Sequence, residues 1–328
     1  MADKKSLSLT VKKIGYIFYS ILKSGKKPAY FVLWLKFLQV LHLPLDVVLF
    51  WIEKRKPNQQ HLRYPLIIVV GIHRTGSTFV SQVLGEFLPF YTLGNYSSVF
   101  SKSSYYIHKW KRKTFLRWKK NRDGTHKSYY GISYGKYTIG DCYEVWDQWF
   151  GKDHYCFDKN ILAGQETAMQ QYFVNLEKAY KMPILTKNNR NYLAVTELKK
   201  IFPNSLFIIT EREPKATIKS TLQASKDYFG NDYLWGIRTN YDFDKKEYNS
   251  IEHAACHQYI DLTNYLNQQL SKLDEKSYMR IPYESFCENP KIYLEELEHR
   301  LEHDFQLPKE HCLIAQLLYY QKRKFRTD

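Results

Sequence analysis

The stretch Pro65 to Gly85 reads PLIIVVGIHRTGSTFVSQVLG. Leu66 to Val70 is an unbroken run of branched apolar residues, the pattern of a strand buried on both faces rather than one that alternates between core and water. Gly71 to Gly76 then makes a tight loop that opens an apolar helix near Ser77. Such a loop is an anion cradle, because backbone N–H groups and the positive end of the helix dipole point into the same space. The spacing Gly71-x4-Gly76 followed by Ser77-Thr78 matches the Walker A phosphate loop except at one position. Ser77 stands where that motif carries the lysine that reaches the β- and γ-phosphates. The basic residue has moved into the loop, as Arg74. A nucleotide with a 5′ anion but no γ-phosphate chemistry suits this arrangement.

Around that loop the chain has 328 residues, enough for a large core, and no composition break demands a split. The division expected is a helical extension over 1–60 and an α/β domain over 61–328. A net charge of +16 exceeds what solubility requires. It points either to an anionic partner, such as a nucleotide, an acidic polymer or a lipid surface, or to basic solvated faces. Cys142, Cys156, Cys256, Cys287 and Cys312 are widely spaced with no CxxC pair, so neither a zinc site nor a disulfide framework is indicated. A reducing compartment fits them, and with no cleavable signal visible the expected location is cytoplasmic.

One segment raises a membrane question. Ala29 to Ile52, AYFVLWLKFLQVLHLPLDVVLFWI, is long enough to span, but Lys36, Gln39, His42, Pro44 and Asp46 interrupt it. Each mid-bilayer charge costs about 2.5–3.5 kcal/mol on insertion scales, which disfavours a span. Two helices broken at Pro44 are expected. They either lie peripherally in a membrane interface, helped by Lys12, Lys13, Lys23, Lys26 and Lys27, or pack on the domain's own core.

Downstream, Leu88 to Ser104 has no clear period and reads as an irregular segment near the site. Lys102 to Lys127 is strongly basic and interleaved with aromatics, with Ile107, Trp110, Thr114, Phe115 and Trp118 on one helical face. No nucleic-acid-reading motif accompanies it, so no nucleic-acid partner is expected. In Gly140 to Gly151, GDCYEVWDQWFG, Asp141, Glu144 and Asp147 recur at helical spacing, as a solvated edge or as catalytic acids. Pro183 to Lys187 and Leu206 to Thr210 read as buried strands around a helix, which argues for a parallel sheet with right-handed crossovers. The second strand ends in Glu211-Arg212-Glu213-Pro214, with Pro214 in the first turn of a helix carrying Ser220. Arg212 therefore falls at the carboxyl end of a strand, where open α/β sheets bind ligands. Tyr228 to Tyr248 reads as an aromatic insertion suited to a lid or acceptor wall. A helix from Ile251 to Leu273, a strand from Ser277 to Tyr283, a helix after Asn289-Pro290 and a basic tail, Gln321 to Arg326, complete the chain.

Three of these blocks have the form and order of one family. Arg74-Thr75-Gly76-Ser77-Thr78, then Arg212 with Pro214 and Ser220, then Tyr283-Glu284-Ser285-Phe286 with Asn289-Pro290 resemble the sulfotransferases that use 3′-phosphoadenosine 5′-phosphosulfate. The resemblance runs from about Pro65 to Leu301. It implies a P-loop-like α/β fold, with a central parallel sheet and helices on both faces. It implies that Arg74, Thr75, Gly76, Ser77 and Thr78 bind the 5′-phosphosulfate, that Arg212 and Ser220 bind the 3′-phosphate, and that Phe79 lies near the adenine. Lys187 resembles a family lysine that approaches the transferring sulfuryl group; otherwise it is a surface lysine after a strand. No metal is implied.

The implied reaction is an in-line displacement at sulfur, with an acceptor hydroxyl or amine attacking and adenosine 3′,5′-bisphosphate leaving. The acceptor would be a carbohydrate, a lipid or another small molecule. A general base should take its proton. One branch of the family has a histidine two residues after the lysine, but Asn189 occupies that position here and cannot serve. Glu144 is the favoured base, then Asp141, with His73 and His154 behind them. Two other readings stay open: a P-loop kinase or NTPase, and a basic membrane-surface or polyanion-binding protein with a vestigial nucleotide site.

Overall fold

A computed structural model of the protein describes residues 25, 27–55, 61–121, 128–129, 132–156, 163–230, 233–240, 243 and 246–307. Lys12, Lys13, Lys23, Lys26, Arg122, Asp123, Lys127, Gly131, Cys312 and the tail Gln321 to Arg326 lie outside the described residues, as does part of the Tyr228 to Tyr248 insertion.

The apolar run forms β1 (Leu66–Gly71), buried along its whole length. Four other strands join it: β2 (Tyr91–Thr92), β5 (Ile184–Lys187), β6 (Ser205–Glu211) and β7 (Tyr278–Pro282), while β3 (Ser128–Tyr129) and β4 (Ile132–Ser133) form a separate small hairpin. The main sheet has the order β2-β5-β1-β6-β7. Every pairing in it is parallel, with Val69 opposite Lys187 on one side of β1 and Gly71 opposite Thr210 on the other. Successive side chains of β1 face opposite sides of the sheet. Leu66, Ile68 and Val70 enter one core cluster, and Ile67 and Val69 enter the other.

Helices cover both faces, as a sheet buried on both sides requires. On the Ile67 face, α2 (Ser77–Phe87) packs through Val80, Val83 and Leu84. The same face receives Phe286 of α10 (Tyr283–Glu288) and Leu294 and Leu297 of α11 (Pro290–His303). On the Ile68 face lie α5 (Tyr143–Phe150), α6 (Glu166–Tyr180), α7 (Val195–Ile201) and α9 (Ile251–Leu270). The crossover that leaves β1 runs outward over β5 to β2, and the one that leaves β5 runs back over β1 to β6. Crossovers of one hand that travel in opposite directions must use opposite faces, which is why α2 and α7 are on different sides. The connections after β1, β5 and β6 all leave from one edge, with β1 at the point where the strand order reverses, and that is the crevice where such sheets bind ligands.

Two expectations are corrected. Leu88 to Ser104 is not irregular: it contains β2 and the short helix α3 (Asn95–Val99), and Phe90 to Phe100 is buried throughout. Its lack of period reflects enclosure on all sides, which removes the alternation between core and water. The amino-terminal apolar segment is one helix, α1 (Lys27–Lys54), not two broken at Pro44. Proline removes one intrahelical bond, yet the helix runs through because its carboxyl half is fastened to the body. There, Asp46 accepts from the N–H groups of Lys102 and Ser103 at 3.0 and 2.7 Å. Glu53 accepts from the N–H groups of Ser104, Tyr105 and Tyr106 and from the Ser103 hydroxyl, all within 3.0 Å. Tyr105 and Tyr106 lead into the basic helix α4 (Tyr106–Lys120), whose own N-cap residue supplies no side-chain bond.

Candidate active site

The loop after β1 turns on two residues with positive φ, Arg74 at 68° and Gly76 at 83°. At Gly76 the sequence requirement is double. The left-handed conformation favours glycine, and a Cβ there would overlap the ring of Tyr283. Thr75 closes the loop on itself: its hydroxyl donates to the Ile72 carbonyl at 2.6 Å and lies 2.9 Å from the Thr210 hydroxyl on β6. Gly76 then serves as the N-cap of α2, and no side chain caps that end. The N–H groups of its first turn, Ser77 and Thr78 among them, have no partner within the helix. Ser77 is buried, and Thr78 and Phe79 are half-buried.

Two arginines border this cradle. Arg74 Nε donates to the Ser220 hydroxyl at 2.9 Å, joining the loop after β1 to α8 (Pro214–Phe229). Arg212, between β6 and α8, donates from Nη1 to the Arg74 carbonyl at 3.2 Å. Its Nε is buried without a hydrogen bond, with Glu284 Oε1 at 3.7 Å, and its guanidinium lies 5.0 Å over the Tyr283 ring. Phe79 meets Tyr283 and Phe286 edge-on, each at 6.2 Å. The three sequence blocks that lie far apart in the chain thus touch one another around one helix N-terminus.

Lys187, the last residue of β5, is 1 % exposed. It is therefore no surface lysine. Its ammonium donates to Asp141 Oδ1 at 2.8 Å, and Asp141 also accepts from the Asn189 N–H at 3.2 Å. Asp147 accepts from Arg190 Nη2 at 2.6 Å and faces His154 Nε2 at 3.0 Å. Glu144, a quarter exposed, is paired with the exposed Lys36 of α1. The three acids are therefore not a free solvated edge: each faces a cation, and only Glu144 faces one that is itself largely in water. His73 is buried under Gly236, edge-on to Trp235 at 5.4 Å. Burial, followed by the nearby Arg238 and Arg74 charges, pushes its pKa down to about 3, so it stays neutral and weakly basic.

Sequence reasoning passed over several of these residues. The Tyr283 ring over Gly76 had no local signal beyond its place in the third block. Asn188 and Arg190 did have one: a polar run, Asn188 to Asn191, directly after a buried strand at the ligand-binding edge. Asn188 donates to the Asp141 carbonyl at 2.7 Å and Arg190 to the Gly151 carbonyl at 2.7 Å, so that run holds the Asp141 to Gly151 segment against β5. Trp235, with the Arg74 guanidinium 6.0 Å over its ring, belongs to the insertion expected to form a wall.

Comparison with known proteins gives a consistent picture. Residues 65–306 match the model of the Sulfotransferase family. No curated protein matches the chain. Among solved structures, the sulfotransferase STF1 from Mycobacterium tuberculosis H37Rv is similar over 88% of this chain and 81% of its own, with 13% identity and a TM-score of 0.52. The sulfotransferase STF9 from Mycobacterium avium is similar over 83% of this chain and 71% of its own, with 12% identity and a TM-score of 0.50. At these identities the structural likeness speaks for the fold.

Proposed function

Since this chain belongs to the sulfotransferase family, we propose that it takes the sulfuryl group from 3′-phosphoadenosine 5′-phosphosulfate and transfers it to a hydroxyl, or an amine, of a carbohydrate, lipid or other small acceptor. One observation carries the reading: an uncapped helix N-terminus bordered by two arginines from the connections after two different strands, one of them with a buried Nε that lacks a hydrogen bond. A buried donor left unmade costs stability, which a bound anion would recover. A nucleoside triphosphatase needs a lysine at the Ser77 position and has no use for a second clamp around Arg212 and Ser220.

When bound, the donor supplies an activated sulfuryl group on a phosphosulfate. The N–H groups of Gly76, Ser77 and Thr78 and the guanidinium of Arg74 neutralise the 5′ anion. Arg212 and the Ser220 hydroxyl bind the 3′-phosphate, and Phe79 with Tyr283 offers an aromatic edge to the adenine. Lys187 contributes positive charge where charge builds on the sulfuryl oxygens, held in place by Asp141. Glu144 is the base that takes the acceptor's proton. Asp141 is engaged by Lys187 and Asp147 by Arg190, whereas the Lys36 contact at Glu144 is exposed and easily exchanged for an acceptor hydroxyl.

Thermal unfolding with added nucleotide tests the reading. Adenosine 3′,5′-bisphosphate at a hundredfold excess over its Kd should add about 2.7 kcal/mol of stability. The stabilisation should be much weaker with 5′-AMP and should be lost in Arg212→Ala. Equal shifts in all three cases would count against the 3′-phosphate assignment, and tighter binding of Mg·ATP would favour a kinase or NTPase.

A further inference from the structure

The polarity of α1 is unusual for a helix on a water-soluble body, with carboxylates inside and a long apolar stripe outside. Its carboxylates, Asp46 and Glu53, are buried against the protein, 1 % and 6 % exposed, beside the one buried apolar residue among the described side chains of the helix, Leu35. Trp34, Phe37, Leu41, Val48 and Trp51 are each more than half exposed. Their spacing of three, four or seven residues makes one stripe along a helix of 28 residues, about 42 Å long. An amphipathic helix in water turns this face inward, and monomeric proteins rarely expose a contiguous apolar patch of this size.

We propose that this stripe seats the protein on an anionic lipid bilayer, with α1 lying in the interfacial plane. Charge complementarity selects that occupant. Lys27 and Lys54 project from the same helix and are exposed, and the Lys54 ammonium lies 5.2 Å over the Trp51 ring. The basic helix α4 packs beside α1 and adds exposed Lys109, Lys113, Arg117 and Lys120. It also carries Trp110, 72 % exposed, with the Lys111 ammonium 4.0 Å over its ring. Aromatic rings level with lysines are the composition of a helix at the headgroup boundary, and each basic residue there is attracted to anionic lipid. A second copy of the chain fits the stripe less well, because it would bring the same basic rim against itself in a chain of net charge +16. A transmembrane course is opposed by the Asp46 and Glu53 bonds, which fix the carboxyl half of α1 along the body.

Flotation of the full chain with lipid vesicles tests the proposal. The protein should float with phosphatidylcholine–phosphatidylserine vesicles at low salt and far less with phosphatidylcholine alone. It should be released by high salt with alkaline carbonate, without detergent. Trp34→Glu combined with Val48→Glu should lower vesicle binding more than about tenfold. The same variant should keep the parent's unfolding temperature and bisphosphate stabilisation, so loss of binding is not loss of fold. The proposal is overturned if the parent stays with the soluble fraction on anionic vesicles, or if the double variant floats like the parent. It is also overturned if only detergent extracts the protein, which means a span, or if sedimentation gives a dimer that the double variant dissociates, which means a second copy covers the stripe.

Discussion

Asp141, Glu144 and Asp147 recur at equal spacing and in similar company, and their neighbours divide the work among them. Lys187 is enclosed and requires a countercharge, because a buried ammonium without one costs several kcal/mol; Asp141 provides it and is committed by doing so. Asp147 is committed in the same way to Arg190, which is also buried. Glu144 is held by no buried cation: its partner, Lys36, is one that solvent already competes for. Glu144→Gln should therefore lower turnover by about a hundredfold or more in a labelled sulfate-transfer assay, the range expected for loss of a general base. Stabilisation by adenosine 3′,5′-bisphosphate should not change. Undiminished turnover would remove Glu144 from the role. Near these acids, Cys142 adopts a left-handed conformation with φ of 45°, and burial pushes its thiol up to about 12. It occupies the N-cap position between Asp141 and α5.

Among the elements, α1 and α4 depend on each other. The amino end of α4 has no cap from its own sequence, and the Glu53 carboxylate of α1 accepts from the N–H groups there. A carboxylate at a helix N-terminus also opposes the helix dipole favourably. Glu53→Ala should then cost about 1–3 kcal/mol, the penalty for buried donors left without an acceptor. Amide exchange should accelerate at Ser104, Tyr105 and Tyr106 before it does in β1. Uniform acceleration across the sheet, or none, would show that α4 does not rely on this contact. Neither link could be read from the sequence, since Glu53 and Tyr106 are 53 residues apart and no periodicity joins them. The identity of the elements was legible where burial is uniform over a run, as in β1, and not where a short element is enclosed on all sides, as in β2 and α3.

For the molecule as a whole, the net charge is +16, yet acidic residues also gather locally. An acidic cluster on α11 carries a pH dependence. Glu298 has its pKa raised from 4.5 to about 7 by partial burial, with Glu302 and Glu295 adding to it. Because the folded pKa lies above the unfolded one, the folded protein keeps a proton that the unfolded chain has lost between those values. This group's contribution to stability therefore falls as pH rises from 4.5 to about 7. Glu298→Gln should be more stable than the parent above pH 7 by about 1 kcal/mol, once solvent screening at a half-exposed site is allowed for. The difference should vanish below pH 4.5. A constant difference across that range in thermal melts would assign it to packing instead.

By itself the sequence determined the parallel α/β sheet, the tight loop after its first strand and the second arginine at a strand end. These rest on local physics: uninterrupted apolar runs, a glycine where φ is positive, and a proline at the start of a helix. Tertiary structure alone decided that Arg74 meets Ser220 across 146 residues, that Tyr283 closes over Gly76, and that Lys187 is enclosed by Asp141. It also decided that α1 turns its carboxylates inward and its tryptophans outward. Each of these depends on which surfaces the folded chain brings together, and a residue type with its neighbours in sequence carries no record of what will cover it.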